Sequence, residues 1–223
     1  MSKKLFIEAI LKYLLGVILV GLLIFLPAGT IRYLKGWIFM GVLFIPMFIA
    51  GIVMMIKNPK LLKSRLDAKE EQGEQKLVIK LSGLMFFVGF ILAGLDFRFN
   101  WFVIPSWISY VSAFIFLLFY VMYGEVLREN ATLLRTIKVE ENQKVVDTGL
   151  YGIIRHPQYS ASIVMFLAMP LILGSLISLV VFMFYPILIV LRIRNEEKVL
   201  TNELNGYKEY KEKVKYRLIP FIY

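Results

Sequence analysis

Six runs of nearly uninterrupted hydrocarbon, at about 5–27, 36–56, 77–95, 103–124, 159–173 and 176–191, leave this chain few ways to fold. A bilayer's hydrocarbon core is ~30 Å thick and takes about 20 helical residues to cross, because each backbone polar group must be satisfied within the segment. The second and fourth runs exceed that length. The last two are shorter, and Gly174-Ser175 parts them soon after Pro170, which predicts a tight helical hairpin packed inside the bundle. The expected fold is all-α and integral to the membrane, with five to six transmembrane helices and a C-terminal helical hairpin. With 59% hydrophobic and 19% charged residues, a soluble domain of 223 residues has too little interior to hide its apolar side chains. Lys3 and Lys4 precede the first run as in a secretory signal. Glu8 and Lys12 interrupt it, however, and no small-x-small cleavage site follows, so a retained first helix is expected.

The net charge of +10 is unevenly spread. With the N-terminus in the cytoplasm, only Arg32, Lys35 and Arg98 of the 26 lysines and arginines fall on the opposite side. That is the positive-inside pattern, and it predicts contact with anionic lipid headgroups rather than nucleic acid. The absence of cysteine excludes disulfides and thiolate chemistry, and a single histidine argues against a metal site. Asn58-Pro59 should end the second helix, since the residue before proline is pushed out of helical geometry. The charged stretch Lys57–Lys80 reads as a solvated loop with a short amphipathic piece.

Two polar clusters adjoin the last runs. One holds the sole histidine in Gly149-Leu150-Tyr151-Gly152-Ile153-Ile154-Arg155-His156-Pro157-Gln158-Tyr159, and the other is Arg192-Ile193-Arg194-Asn195-Glu196-Glu197. An apolar hairpin brings both to one membrane face. His156 reads equally as a capping residue before Pro157, whose place in a first helical turn leaves outward N–H groups suited to an anion. Arg192 and Glu196, four residues apart, share a helix face. They form either a solvated i, i+4 pair or a cation and an anion offered to one cavity. Arg128-Glu129-Asn130 is either a cavity roof or a helix-terminal charge cluster. Beyond Glu196, Leu200, Leu204, Tyr207, Tyr210 and Val214 form an amphipathic tail that Asn205-Gly206 divides. Arg217-Leu218-Ile219-Pro220-Phe221-Ile222-Tyr223 reads as an extended strip laid back on the bundle.

These motifs, in this order, resemble the isoprenylcysteine carboxyl methyltransferase family, bacterial members included. The resemblance rests on Val145–Tyr159, Arg192–Leu200, Gly206-Tyr207-Lys208-Glu209-Tyr210 and Arg217-Leu218-Ile219-Pro220. Arg-His-Pro-x-Tyr followed by Glu-Glu is shared with the related phospholipid methyltransferases. The likeness is specific from about residue 124 onward. It is looser before that, in Asn58-Pro59-Lys60-Leu61-Leu62 and Gly94-Leu95-Asp96-Phe97-Arg98-Phe99-Asn100-Trp101. The resemblance implies N-terminal transmembrane helices over 1–123 and a methyltransferase core over 124–223. It also implies the cofactor S-adenosyl-L-methionine in a cytosolic pocket and a lipophilic acceptor, such as a prenylated cysteine, drawn from the bilayer. By position, Gln143, Lys144, Val145, Val146, Tyr151, His156, Pro157, Gln158 and Tyr159 would line the cofactor. Glu196 would hold its amino group, and Arg192 would meet the acceptor carboxylate. Ser160-Ala161 stands where family members often carry glycine, and either small residue allows close helix packing. The implied location is a bacterial plasma membrane. A lipid N-methyltransferase and a membrane reductase using a nicotinamide cofactor are the competing readings.

Overall fold

The computed structural model describes residues 3–66, 73–130 and 144–223, and every regular element among them is helical. In chain order these are α1 (Lys3–Ala28), α2 (Leu34–Lys57), α3 (Pro59–Leu66), α4 (Gly73–Phe99) and α5 (Ser106–Glu129). A 3-10 turn (Gly149–Gly152) leads into α6 (Pro157–Leu173), α7 (Leu176–Phe182), α8 (Tyr185–Glu203) and α9 (Tyr207–Lys213). Five stretches are long and apolar enough to cross a membrane: α1, α2, residues 75–99 of α4, α5, and α7 with α8 together. The sixth run, α6, is a shorter apolar helix. Its core position explains this: eleven of its residues are buried, whereas α1 buries only Ile24 and Ala28. Packed beside α2, α4, α5 and α8, α6 has protein rather than lipid around it. Leu11, Leu15, Ile18 and Leu26 on α1, and Phe114 and Val121 on α5, are exposed apolar side chains that only lipid can solvate.

Local chemistry sets the breaks. Pro59 opens α3 after Asn58, whose side-chain Oδ1 accepts from the Leu61 N–H at 3.1 Å. The hairpin turns at Gly174, a left-handed residue (φ 79°). That φ favours glycine, and a Cβ there, 2.7 Å from Lys35 Nζ, would also displace the lysine. Ser175 then caps α7 by accepting from the Ser178 N–H at 3.2 Å. The run expected as one helix over 176–191 is divided at Met183-Phe184. Pro186, within the first two positions of α8, has no N–H to continue the ladder. Seryl hydroxyls tie the hairpin to the long spans: Ser109 donates to the Leu171 carbonyl at 3.0 Å and Ser178 to that of Gly89 at 2.8 Å.

The helix ends sort into two faces. Arg32, Lys35 and the hairpin turn at Gly174 line one cavity, and Arg98 lies against Gly29 of the α1–α2 turn nearby. The amphipathic α3, the 3-10 turn, the ends of α5 and α8, and the tail gather at the other face. There α3 buries Leu61 and Leu62, and the Leu66 carbonyl accepts from Lys12 of α1 at 2.8 Å.

Candidate functional site

The polar face is built around two adjacent carboxylates on α8 with different surroundings. Glu197 is buried. Its Oε1 accepts from Arg155 Nε at 2.8 Å and lies 3.3 Å from His156 Nε2, and its Oε2 accepts from Arg217 Nε at 3.0 Å. Two buried or half-buried guanidinium groups and an imidazole thus surround one anion, leaving its lone pairs committed within the protein. Arg155 goes further, donating through Nη1 to the carbonyls of Val214 (2.7 Å) and Lys215 (2.8 Å). The N–H groups of Arg155 and His156 bond the carbonyls of Tyr216 and Arg217, both at 2.9 Å. The C-terminal strip is therefore laid back on the bundle as expected, and Glu197 is the hub that fixes it.

Glu196, one residue earlier, is half-buried and belongs to a different chain of contacts. Tyr159 donates its hydroxyl proton to Glu196 Oε2 at 2.5 Å and accepts from Arg192 Nε at 2.8 Å. The Arg192 guanidinium also stands 5.9 Å from the centre of the Tyr159 ring. Arg192 and Glu196 are thus bridged by a phenol from α6, so their link involves more than the one-helix i, i+4 pair read from spacing. Tyr159 comes into place because Pro157 starts α6 immediately after His156, setting Tyr159 over the end of α8.

A wall rises beside this bridge. Gly149 begins the 3-10 turn at φ 52°, and a Cβ there would fall 1.5 Å from Glu129 Oε1. Glu129 Oε2 accepts from the Leu150 N–H at 3.1 Å, and Asn130 Nδ2 reaches the Tyr151 hydroxyl at 3.5 Å. Of the cluster at the end of α5, Glu129 and Asn130 thus hold the Tyr151 turn. Arg128 pairs on the surface with Glu125 at 2.5 Å. Tyr210 donates to the Tyr151 carbonyl at 2.7 Å, closing the wall from the tail. Burial is the main cause raising the phenols of Tyr151 and Tyr207, which reinforces the neutral form a phenol already holds at ordinary pH.

Sequence reasoning underrated the first half of the chain. Gln75, fully buried in the stretch read as a solvated loop, donates to the Arg192 carbonyl at 3.4 Å. Arg65 of α3 lies within electrostatic reach of Tyr151. Among the described residues, Arg65 Nε and Nη2, Gln75 Oε1 and the Tyr207 hydroxyl are buried and find no hydrogen-bond partner. Unmatched buried donors and acceptors are rare in folded proteins, and here Gln75 touches Arg192 of the Tyr159 bridge while Tyr207 lies within electrostatic reach of Glu196. Such a set suits a ligand carrying both charges. Among the described residues no group of acidic or histidine side chains is arranged to hold a metal.

Of the residues expected at the site, Tyr151, His156, Pro157, Gln158 and Tyr159 are buried here, and Arg192 and Glu196 are half-buried beside them. Val145 packs under the tail beside Tyr207 and Tyr210, Val146 is half-buried, and Lys144 is exposed. Gln143 lies outside the described residues. His156 faces Glu197, so its nearest role is in holding the hub. Ser160, at the position where glycine was noted as common, donates to the Leu218 carbonyl at 2.6 Å, while Ala161 is fully buried.

Residues 106–207, from the start of α5 to the start of α9, match the family model described as phospholipid methyltransferase. A stretch of 93 residues is 31% identical to the Delta(14)-sterol reductase TM7SF2 of Mus musculus. It amounts to 40% of this chain and 22% of that relative, so the chain spans only a small part of the reductase's length. The family match takes in the 3-10 turn, the hairpin, Tyr159, Arg192 and both carboxylates. With the apolar helices, it supports a membrane methyltransferase.

Proposed function

We propose that the chain is an S-adenosylmethionine-dependent methyltransferase that O-methylates the carboxylate of a lipophilic acceptor such as a prenylated cysteine. The carrying observation is the Arg192–Tyr159–Glu196 bridge, which presents a cation and an anion side by side at the polar face. Glu196 would accept from the cofactor's ammonium, and the unmatched Arg65 donors suit its carboxylate. S-adenosylmethionine, when bound, supplies a methyl group on a positively charged sulfur.

The protein's own task is then positioning. Arg192 orients the acceptor carboxylate with its planar fork, and Tyr159 fixes the guanidinium that does so. A carboxylate is already ionised at neutral pH, so no general base is required, in keeping with a site that offers charges and phenols. The buried Tyr151, Tyr159 and Gln75 limit the water that can reach the site, which favours a reaction in which opposite charges neutralise. The distribution of basic residues supports a cytosolic polar face, and the loosely similar first half supports a bacterial plasma membrane.

Methyl transfer from labelled S-adenosylmethionine to a farnesylcysteine analogue, with phosphatidylethanolamine vesicles in parallel, tests the acceptor. Transfer to the amine alone would establish the lipid N-methyltransferase reading, which the family match favours. Arg192 counts against that reading, because an amine acceptor suits an acidic or neutral partner. The reductase reading rests on the 31% identity, and NADPH binding with no S-adenosylmethionine binding would establish it.

A further inference from the structure

We propose that the membrane face opposite the methyl-transfer site holds a second ligand site, specific for an aminophospholipid headgroup with a primary ammonium and a phosphate. A cavity of about 310 Å³ opens there between the α1–α2 turn, the end of α4, the start of α5 and the hairpin turn. That volume is at the lower end of the ~300–1,000 Å³ usual for small-molecule sites. Asp96 lines it and is 2% exposed; Oδ1 accepts from the Phe102 N–H at 3.0 Å, but Oδ2 is buried without a partner among the described residues. A buried carboxylate oxygen calls for an N–H donor, and a primary ammonium supplies three.

The rest of the cavity asks for the opposite charge. Among the described residues Lys35 Nζ donates only a long bond, 3.4 Å, to the Ile104 carbonyl, and Arg32 stands exposed at the rim. An anion between these two and an ammonium on Asp96 describe a zwitterion of phosphoethanolamine type. The source is lipid rather than solute because all three tryptophans, Trp37, Trp101 and Trp107, ring this end with exposed indoles. Indoles concentrate at headgroup depth, so the cavity mouth opens where headgroups lie. The length of α5, roughly 35 Å at 1.5 Å per residue, separates this cavity from Glu129 and the Tyr151 wall, so its lipid is not the methyl acceptor.

Native mass spectrometry of the detergent-purified chain, with phosphatidylethanolamine, phosphatidylcholine and phosphatidylglycerol at equal concentration, tests the site. Phosphatidylethanolamine should be retained about tenfold over the other two, the effect expected of one charge-assisted hydrogen bond that they cannot make. Asp96→Asn should abolish the preference for ethanolamine over choline. Lys35→Gln, at a half-exposed position, should weaken both while keeping their ratio, and it decides the matter should Asp96→Asn not elute as a single species. Equal retention of the three lipids by the wild-type chain would overturn the proposal. So would an unchanged preference in Asp96→Asn, or unchanged retention in Lys35→Gln. Soluble glycerophosphoethanolamine binding as tightly as the lipid would overturn the assignment to a lipid.

Discussion

Glu196 and Glu197 are neighbours on one helix, yet one region has closed around its carboxylate and the other has not. Glu197 is surrounded by Arg155, His156 and Arg217 from two other segments, and its contacts stitch the C-terminal strip to the entrance of α6. Glu196 shares a phenol with Arg192 and lies within electrostatic reach of the Tyr207 hydroxyl, which finds no partner among the described residues. The difference separates an ionic cluster that holds the structure from one suited to holding a ligand.

The largest effect should come from the closed cluster. Glu197→Ala leaves Arg155 and Arg217 without their shared anion, and breaking a buried pair typically costs ~3–5 kcal/mol. The expected outcome is a steep fall in Tm in detergent and early proteolysis of the tail after residue 203, with cofactor affinity lost only through unfolding. Normal stability would place Glu197 with the ligand groups instead. Next is Arg192→Ala, which should reduce kcat/KM on a carboxylate acceptor roughly 10- to 100-fold for one lost charge-assisted hydrogen bond. Arg192→Lys should be less impaired, and both should keep most cofactor binding and a near-normal Tm. Undiminished transfer by Arg192→Ala would remove this residue from the acceptor site.

A smaller effect is expected at Gly149. Alanine there adopts a left-handed backbone at a cost of roughly 1–2 kcal/mol and displaces Glu129 as well, so Tm should fall modestly and the Tyr151 fluorescence environment should change. The smallest concerns Asp147, which pairs with Lys213 of α9 at 2.6 Å. The hydrogen bond from Lys213 and its charge hold the Asp147 carboxyl below its ordinary value of 3.8. A depressed carboxyl stabilises the fold above that ordinary value, and the contribution is lost as pH falls through the lower folded one. Hydrogen exchange of α9 should therefore quicken in acid, and Lys213→Ala should remove that dependence. Both groups are largely exposed, so screening keeps the effect slight.

Much of this arrangement was legible in the chain because membrane solvation is unforgiving. Continuous apolar runs, Pro59, Gly174-Ser175 and Pro157 fix where helices start and stop by backbone chemistry that local sequence carries. Arg192, Glu196 and Tyr159 were readable for a related reason, since polar groups set beside hydrocarbon need partners. Which of two adjacent glutamates faces inward depends on helix rotation against α6 and on where a distant strip returns, and neither is written locally. Arg65 and Gln75 were obscured likewise: a charged stretch reads as solvated until α3 folds its leucines under and carries the guanidinium inward. Pro186 did signal the break between α7 and α8, but the apolar run around it masked that signal.

The assignment of S-adenosylmethionine to the open cluster is decided by equilibrium binding of the labelled cofactor to the detergent-purified chain and to Glu196→Gln. Binding to the wild-type chain should be saturable and not displaced by NADPH. Glu196→Gln should lose affinity roughly tenfold or more at unchanged Tm, the usual effect of removing one charge-assisted partner. Equal affinity in the two proteins, or displacement of the label by NADPH, would contradict it.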